Sequence, residues 1–220
     1  MQIIRGDLLG LAKARYFNVI VQGCNCFCTF GAGIAKQIKE QFPAAYDADC
    51  QTVNGDAAKL GSYSAANYNN LTIVNAYTQF DTMGPGIKAD YDAIRAVMTK
   101  IKTDFHGCRI GMPMIGAGLA GGDWKMISRI IDEELAGEDV TLVLWNGDPS
   151  TEKLAYDLAI DQAARVHSNK VDTYSLAAEE VKIVTAGIIS IEAMKFAKGT
   201  LDSKTLYGRV YEKLEQSNAQ

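Results

Sequence analysis

The stretch Gly111-Met-Pro-Met-Ile-Gly-Ala-Gly-Leu-Ala-Gly-Gly-Asp-Trp124 decides the fold, because a short apolar strand there leads into a glycine-rich loop. It holds five glycines and a single carboxylate, Asp123. Glycine lets the backbone turn tightly and bring several N–H groups against one anion. Residues 19–35 have the same layout, with an apolar strand, then small residues, then a predicted helix. Two such loops predict a ligand with two phosphates.

Short apolar segments rich in β-branched residues and bounded by turn formers predict buried strands. They span residues 2–4, 18–21, 71–74, 109–112 and 141–144. Helical patterns lie between them. Residues 33–42 repeat an apolar side chain at every fourth position, and Pro43 is expected to stop that helix. Further apolar stripes over residues 91–101 and 127–135 predict two more helices.

This alternation of strands and helices predicts a three-layer α/β/α architecture with a mostly parallel mixed sheet. In such sheets ligands bind beyond the carboxyl ends of the strands, which is where both glycine-rich loops fall. The α/β domain is expected to occupy residues 1–148. Residues 149–220 show helical stripes without a strand pattern and predict a helical appendage. The appendage is expected to form a small bundle, to pack on the α/β domain, or to mediate self-association.

Composition and charge exclude several classes of function. The hydrophobic share of 48% and charged share of 22% are typical of a soluble globular chain. A net charge of -4 argues against an extended nucleic-acid surface. No apolar run is long enough to cross a bilayer, and the N-terminus lacks the layout of a signal peptide. We therefore expect a cytoplasmic protein without a membrane partner.

The cysteines predict neither a disulfide framework nor a metal site. There are five of them, an odd number in a chain without a secretion signal, so reduced thiols are expected. Cys24, Cys26 and Cys28 alternate at a strand end, and this spacing differs from that of a zinc knuckle. The simplest interpretation is that they are small buried side chains.

Three polar residues near the predicted strand ends could carry chemistry, and each has a structural alternative. Asp7 could accept a hydrogen bond from an exocyclic amine or cap a helix beginning at Leu8. Asn25 could bind a ribose hydroxyl or fix its own loop. Asp123 could act as a base or cap the following helix. The N–H groups around Gly31 and Gly33 face the ligand edge as a predicted phosphate site.

Three motifs in order resemble the macro domain family, which binds ADP-ribose. They are Gly6-Asp-Leu-Leu9, then Cys24-Asn-Cys26 with Gly31-Ala-Gly-Ile-Ala35, and then Met112-Pro-Met-Ile-Gly-Ala-Gly-Leu119 with Gly122-Asp-Trp124. The resemblance covers about residues 1–146 and implies an ADP-ribose derivative as the small-molecule partner. It implies no cofactor.

The resemblance also implies roles for individual residues. Asp7 would hold the adenine amine, and Asn25 would face the distal ribose. Leu8 and Gly23 belong to the same expected binding set. That ribose and its phosphate would be wrapped by Gly31, Ala32, Gly33 and Ile34, and the diphosphate would be cradled by Ile115, Gly116, Ala117, Gly118 and Leu119.

Within the family, these motifs are similar to the branch that hydrolyses ADP-ribose-1″-phosphate and to a related branch that removes ADP-ribose from glutamate or nucleobases. The branch that removes ADP-ribose is expected to have a lysine that forms an adduct with the ribose, and this chain has Gln79 at or beside that position. The phosphatase branch often has a histidine where this chain has Gln22. We expect a phosphatase in which Asn25 orients the ribose and Asp123 orients or deprotonates water. The alternatives are a mono-ADP-ribosyl hydrolase and a non-catalytic reader or scavenger of ADP-ribose.

Overall fold

The structure, a computed structural model, describes residues 1–145 of the chain. The chain divides into two compact units, one formed by Met1–Ala12 and Phe17–Asn146 and the other by Lys13–Tyr16 and Gly147–Gln220. The described residues therefore belong almost entirely to the first unit. The predicted helical appendage at residues 149–220, with its proposed self-association, lies outside the described residues and stays a prediction.

The described residues form a six-stranded mixed sheet in the order β1-β6-β5-β2-β4-β3. All neighbouring strands run parallel except β3, which pairs antiparallel with β4 at one edge. This confirms the mostly parallel mixed sheet. The strands are β1 Gln2–Arg5, β2 Val19–Cys24, β3 Tyr63–Tyr68, β4 Leu71–Tyr77, β5 Arg109–Met112 and β6 Asp139–Leu144.

Helices cover both faces of the sheet, and the alternation along β2 and β4 shows why. Val21 and its partner Val74 lie in the core cluster with the apolar stripes of α4 and α5. Gln22 and its partner Asn75 point to the other face, where Asn75 donates to the Ala45 carbonyl of α3. Successive side chains of a strand alternate between faces, so the three-layer architecture is confirmed. The helices are α1 Leu8–Lys13, α2 Gly33–Gln41, α3 Pro43–Cys50, α4 Tyr91–Asp104 and α5 Trp124–Glu134.

One strand was missed in the sequence, and one predicted helix end is confirmed. Strand β3 was not predicted, because Tyr63–Tyr68 is a largely polar edge strand without β-branched residues. Helix α2 ends before Pro43 as predicted, and Pro43 then begins helix α3. Proline is well suited to the first position of a helix, since its missing N–H has no intrahelical partner there.

The expectation that the cysteines are reduced thiols was wrong. Cys28, in the loop after β2, and Cys50, at the end of α3, form a disulfide with their Cα atoms 5.7 Å apart. Within residues 1–145 the remaining cysteines, Cys24, Cys26 and Cys108, are free thiols. The two bonded cysteines are 22 positions apart, and only the packing of α3 against the sheet brings them together.

Cys28→Ser is expected to lower the free energy of unfolding by about 3 kcal/mol, because opening a loop of this length releases the unfolded chain from a constraint. Chemical denaturation without reductant measures the change. Cys108→Ser, which removes a free thiol, is the matched control and should cost much less. Adding reductant should destabilise the unsubstituted protein to the level of Cys28→Ser. Equal stability of the two variants without reductant contradicts the prediction.

Candidate functional site

The site lies where the parallel strands end, because β1, β6, β5, β2 and β4 all direct their carboxyl ends to one edge of the sheet. Residues 25–32 leave this edge after β2 and are called the first loop. Residues 113–123 leave it after β5 and are called the second loop. Since β2 and β5 are neighbours, the two loops begin side by side.

Gly23, near the end of β2, shows how closely the second loop approaches. A Cβ placed on Gly23 would lie 2.9 Å from Cγ2 of Ile115 and 3.7 Å from the backbone N of Gly116. It would also lie 2.8 Å from Oγ1 of Thr78. Only glycine leaves room for this contact, so Gly23 acts by allowing β2 and the second loop to meet.

The start of helix α2 presents free backbone donors. Its N-cap is Ala32, which has no side chain able to accept a hydrogen bond, and the first intrahelical bond runs from Lys36 N to the Ala32 carbonyl. The amides of Gly33, Ile34 and Ala35 have no acceptor among residues 1–145. Such amides, at the positive end of a helix dipole, form an anion site.

The second loop presents a second set of donors. It is closed by hydrogen bonds from Gly122 N to the Gly116 carbonyl at 2.9 Å and from Gly121 N to the Gly118 carbonyl at 3.0 Å. Ile115 is buried and anchors the loop, whereas Gly118 and Leu119 are exposed. Five of its amides have no acceptor in the described part of the chain, namely those of Met114, Gly116, Gly118, Leu119 and Ala120.

Asn25 is buried and holds the first loop together. Its Oδ1 accepts from Phe27 N at 2.8 Å, and its Nδ2 donates to Thr29 Oγ1 at 2.6 Å. The loop-fixing alternative is therefore present in the structure. An amide has a second N–H and a second lone pair, so these bonds leave Asn25 able to make one more of each kind.

Asp7 caps helix α1, as its structural alternative predicted. Its Oδ1 accepts from Leu9 N at 3.1 Å, while Oδ2 has no partner among the described residues. Leu8, the first residue of α1, is buried. Asp7 is thus held at the carboxyl end of β1 with one oxygen available as an acceptor.

Asp123 caps helix α5 and is exposed at the end of the second loop. Its Oδ1 accepts from Lys125 N at 2.8 Å, and its own N–H donates to the Tyr91 hydroxyl at 3.0 Å. Capping therefore accounts for one carboxylate oxygen, and the remaining oxygen is the group that could take a proton.

The two glutamines that differ from the expected family pattern are both held by the protein. Gln22 is buried and donates to Asn75 Oδ1 at 2.8 Å. Gln79 donates from Nε2 to the Asp81 carbonyl at 2.7 Å. A neutral amide is a poor acid or base, so Gln22 holds the Asn75 side chain and Gln79 holds the backbone at Asp81 rather than transferring protons.

A buried polar cluster beneath the first loop was not predicted from the sequence. Lys59 Nζ lies 3.2 Å from Asp49 Oδ1, and the Tyr77 hydroxyl donates to the same oxygen at 2.5 Å. Burial and the hydrogen bond to Asp49 raise the pKa of Tyr77. A lysine and an aspartate ten positions apart give no pattern in the sequence that marks them as buried partners.

The two free cysteines near this cluster are not activated. Burial, with a smaller contribution from the Asp49 carboxylate, raises the pKa of the Cys24 thiol well above its ordinary value. Burial is also the largest cause of the raised pKa of Cys26. A thiol that remains protonated is a weak nucleophile, so these residues are core side chains.

Neither a metal cluster nor a membrane span was found in the described part. Among residues 1–145, no three side chains of histidine, cysteine, aspartate or glutamate are grouped closely enough to hold a metal ion. Within the same residues, every helix is too short or too polar to cross a bilayer.

Comparison with known sequences identifies a family and a phage relative. Residues 21–131 match the model of the macro domain family. The chain is 36% identical over 155 residues to an uncharacterized 17.5 kDa protein from the tk-vs intergenic region of Enterobacteria phage T4. That alignment covers 66% of this chain and 96% of the phage protein.

Solved structures show the same fold. A protein of unknown function from Bacteroides thetaiotaomicron is 25% identical, with a TM-score of 0.53, over 66% of this chain and 96% of that one. The macrodomain of Thermus aquaticus DarG is 22% identical, with a TM-score of 0.51, over 66% and 97%. Thermosipho africanus DarTG, solved in complex with ADP-ribose, is 16% identical, with a TM-score of 0.52, over 67% and 43%.

Proposed function

Because this chain belongs to the macro domain family, we propose that it binds ADP-ribose across the first and second loops. One observation carries the proposal. Two sets of backbone amides have no acceptor among residues 1–145, one at the start of α2, which follows β2 through the first loop, and one in the second loop, which follows the neighbouring strand β5. A diphosphate supplies acceptors for both sets at once. Thermosipho DarTG, which has this fold, was solved with ADP-ribose.

The order of the strands supports one direction for the ligand. Strand β1, which ends two residues before Asp7, is separated from β2, which ends directly before Asn25, by β6 and β5. Three steps between neighbouring strands span about 14 Å. We place the adenine at the available oxygen of Asp7, the diphosphate over the second loop, and the distal ribose at Asn25.

We further propose that the protein hydrolyses ADP-ribose-1″-phosphate to ADP-ribose and phosphate. Water would attack the phosphorus at the distal ribose and form a new P–O bond while the bond from phosphorus to O1″ breaks. The electron pair of that bond would stay on O1″, which takes up a proton from solvent to give ADP-ribose. Loop amides would stabilise the charge that develops on the phosphoryl oxygens. Asn25 would orient the ribose, and the free oxygen of Asp123 would orient or deprotonate the water.

A non-catalytic reader of ADP-ribose is the second candidate, and a specific observation favours it. Asn25 and Asp123 both already make hydrogen bonds that hold a loop or a helix end. These bonds give both residues a structural reason to be present without any reaction. A mono-ADP-ribosyl hydrolase has less support, because Gln79 cannot form the ribose adduct expected of a lysine.

Calorimetry with ADP-ribose and product assays separate these candidates. We expect ADP-ribose to bind, and we expect phosphate to appear when the protein is incubated with ADP-ribose-1″-phosphate. Parallel incubations use ADP-ribosylated protein and ADP-ribosylated DNA, with free ADP-ribose as the product measured. Binding without any product identifies a reader, and release of ADP-ribose identifies a hydrolase. Absence of ADP-ribose binding contradicts the proposal as a whole.

A further inference from the structure

The residue that follows Asn25 is fastened to the protein at several points. The Cys26 carbonyl accepts from Lys59 Nζ at 3.1 Å and from Gly55 N at 2.8 Å. The Cys26 N–H donates to the Phe80 carbonyl at 2.9 Å. Because the two residues share a peptide bond, the position of Cys26 sets where the Asn25 side chain stands.

Lys59 is the one side chain among these partners of Cys26, and its burial is unusual for a lysine. Only 7% of it is exposed, while its partner Asp49 is 1% exposed. Its Nζ also lies 4.3 Å from the centre of the Tyr77 ring. A buried ion pair contributes little net stability compared with apolar side chains of the same volume. Stability alone therefore gives no reason for a charged side chain at this position.

We propose that Lys59 is a positioning residue for ADP-ribose binding. It acts through its hydrogen bond to the Cys26 carbonyl. This bond holds Asn25 in the position from which its side chain contacts the distal ribose. Asp49 pairs with Lys59 and holds its Nζ towards the first loop. This inference rests on the proposed binding of ADP-ribose and adds to it a residue that lies below the loop rather than beside the ligand.

The test removes the link to Cys26 without leaving a buried charge. In the double variant Lys59→Met/Asp49→Asn both members of the ion pair become neutral, so the fold is expected to survive. Its affinity for ADP-ribose, measured by calorimetry, should fall about tenfold, the effect of losing a hydrogen bond from a charged donor. Hydrogen exchange of the peptide covering residues 24–30 should become faster in the same variant.

Tyr77→Phe is the matched control. It removes a buried hydrogen bond to Asp49 but leaves the bond between Lys59 and Cys26 in place. It should lose stability in thermal unfolding and keep its affinity for ADP-ribose within about twofold. If affinity only followed stability, Tyr77→Phe would weaken binding as well. A loss of affinity in the control equal to that in the double variant overturns the proposal.

The remaining outcomes are also decisive. If the unsubstituted protein binds ADP-ribose and the double variant binds equally well, Lys59 is structural and the proposed function stands. If the unsubstituted protein does not bind, both proposals are wrong. Lys59→Met alone replaces the double variant should the latter not fold, because it also removes the hydrogen bond to the Cys26 carbonyl.

Discussion

Gly118→Glu is expected to weaken ADP-ribose binding by at least about 100-fold without disturbing the fold. Gly118 is exposed in the second loop, and a Cβ placed on it would meet no atom within 4 Å. The new carboxylate would stand among the free amides and repel the diphosphate. Repulsion between the new carboxylate and the two phosphate charges, each at about 4 Å, costs several kcal/mol near a protein surface. This energy accounts for the size of the loss of affinity. Calorimetry with ADP-ribose measures it.

Thr103→Glu is the control for the added charge. Thr103 is exposed near the end of α4, a helix of 14 residues that begins at the ligand edge. Because α4 is about 20 Å long, Thr103 at its other end lies far from the ligand edge. This variant should bind ADP-ribose like the unsubstituted protein. Normal binding by Gly118→Glu, or an equal loss in both variants, would show that the diphosphate does not lie on the second loop.

Asp123→Asn is expected to reduce phosphate release from ADP-ribose-1″-phosphate at least about 100-fold, the usual contribution of a general base. Asparagine caps helices as well as aspartate does, so its Oδ1 can still accept from Lys125 N. Thermal stability and ADP-ribose affinity should therefore change little. Asp123→Asn keeps the helix cap and removes only the carboxylate proposed to take the proton. Asp123→Ala would remove both and could not separate the two roles.

Asp90→Asn is the matched control, since Asp90 caps α4 by accepting from Ala93 N. It makes the same chemical change at another helix start and should leave phosphate release unchanged. Full activity in Asp123→Asn would exclude Asp123 from the mechanism. A matching loss in both variants would point to a general effect of helix capping instead.

Much of the α/β core could be predicted because its signals are local. Strand β5 has the bounds that the apolar segment at residues 109–112 indicates, and α4 and α5 follow their apolar stripes. Strand β3 was missed because an edge strand pairs on one side only and needs no apolar run. The repeat of apolar side chains along a strand or helix indicates which of its sides is buried. It therefore identifies buried elements more readily than exposed ones.

The candidate site was predictable in outline for a similar reason. The glycine-rich loops follow buried strands directly, and the carboxyl ends of parallel strands meet at one edge. Sequence alone could not choose between a ligand contact and a structural role for Asp7, Asn25 and Asp123. The structure shows that each side chain makes a local hydrogen bond. Each also has a further lone pair or N–H with which it could bind a ligand, so the two roles do not exclude one another.

By itself the sequence determined the layers of the fold, the parallel core of its sheet, and the edge at which the two loops stand. Only the tertiary structure decided that Cys28 bonds to Cys50 and that Lys59 reaches Asp49 and the Cys26 carbonyl. The physical reason is the range of the interaction. Backbone propensity and hydrophobic periodicity act between near neighbours in the chain, whereas a disulfide or a buried ion pair depends on how distant segments pack.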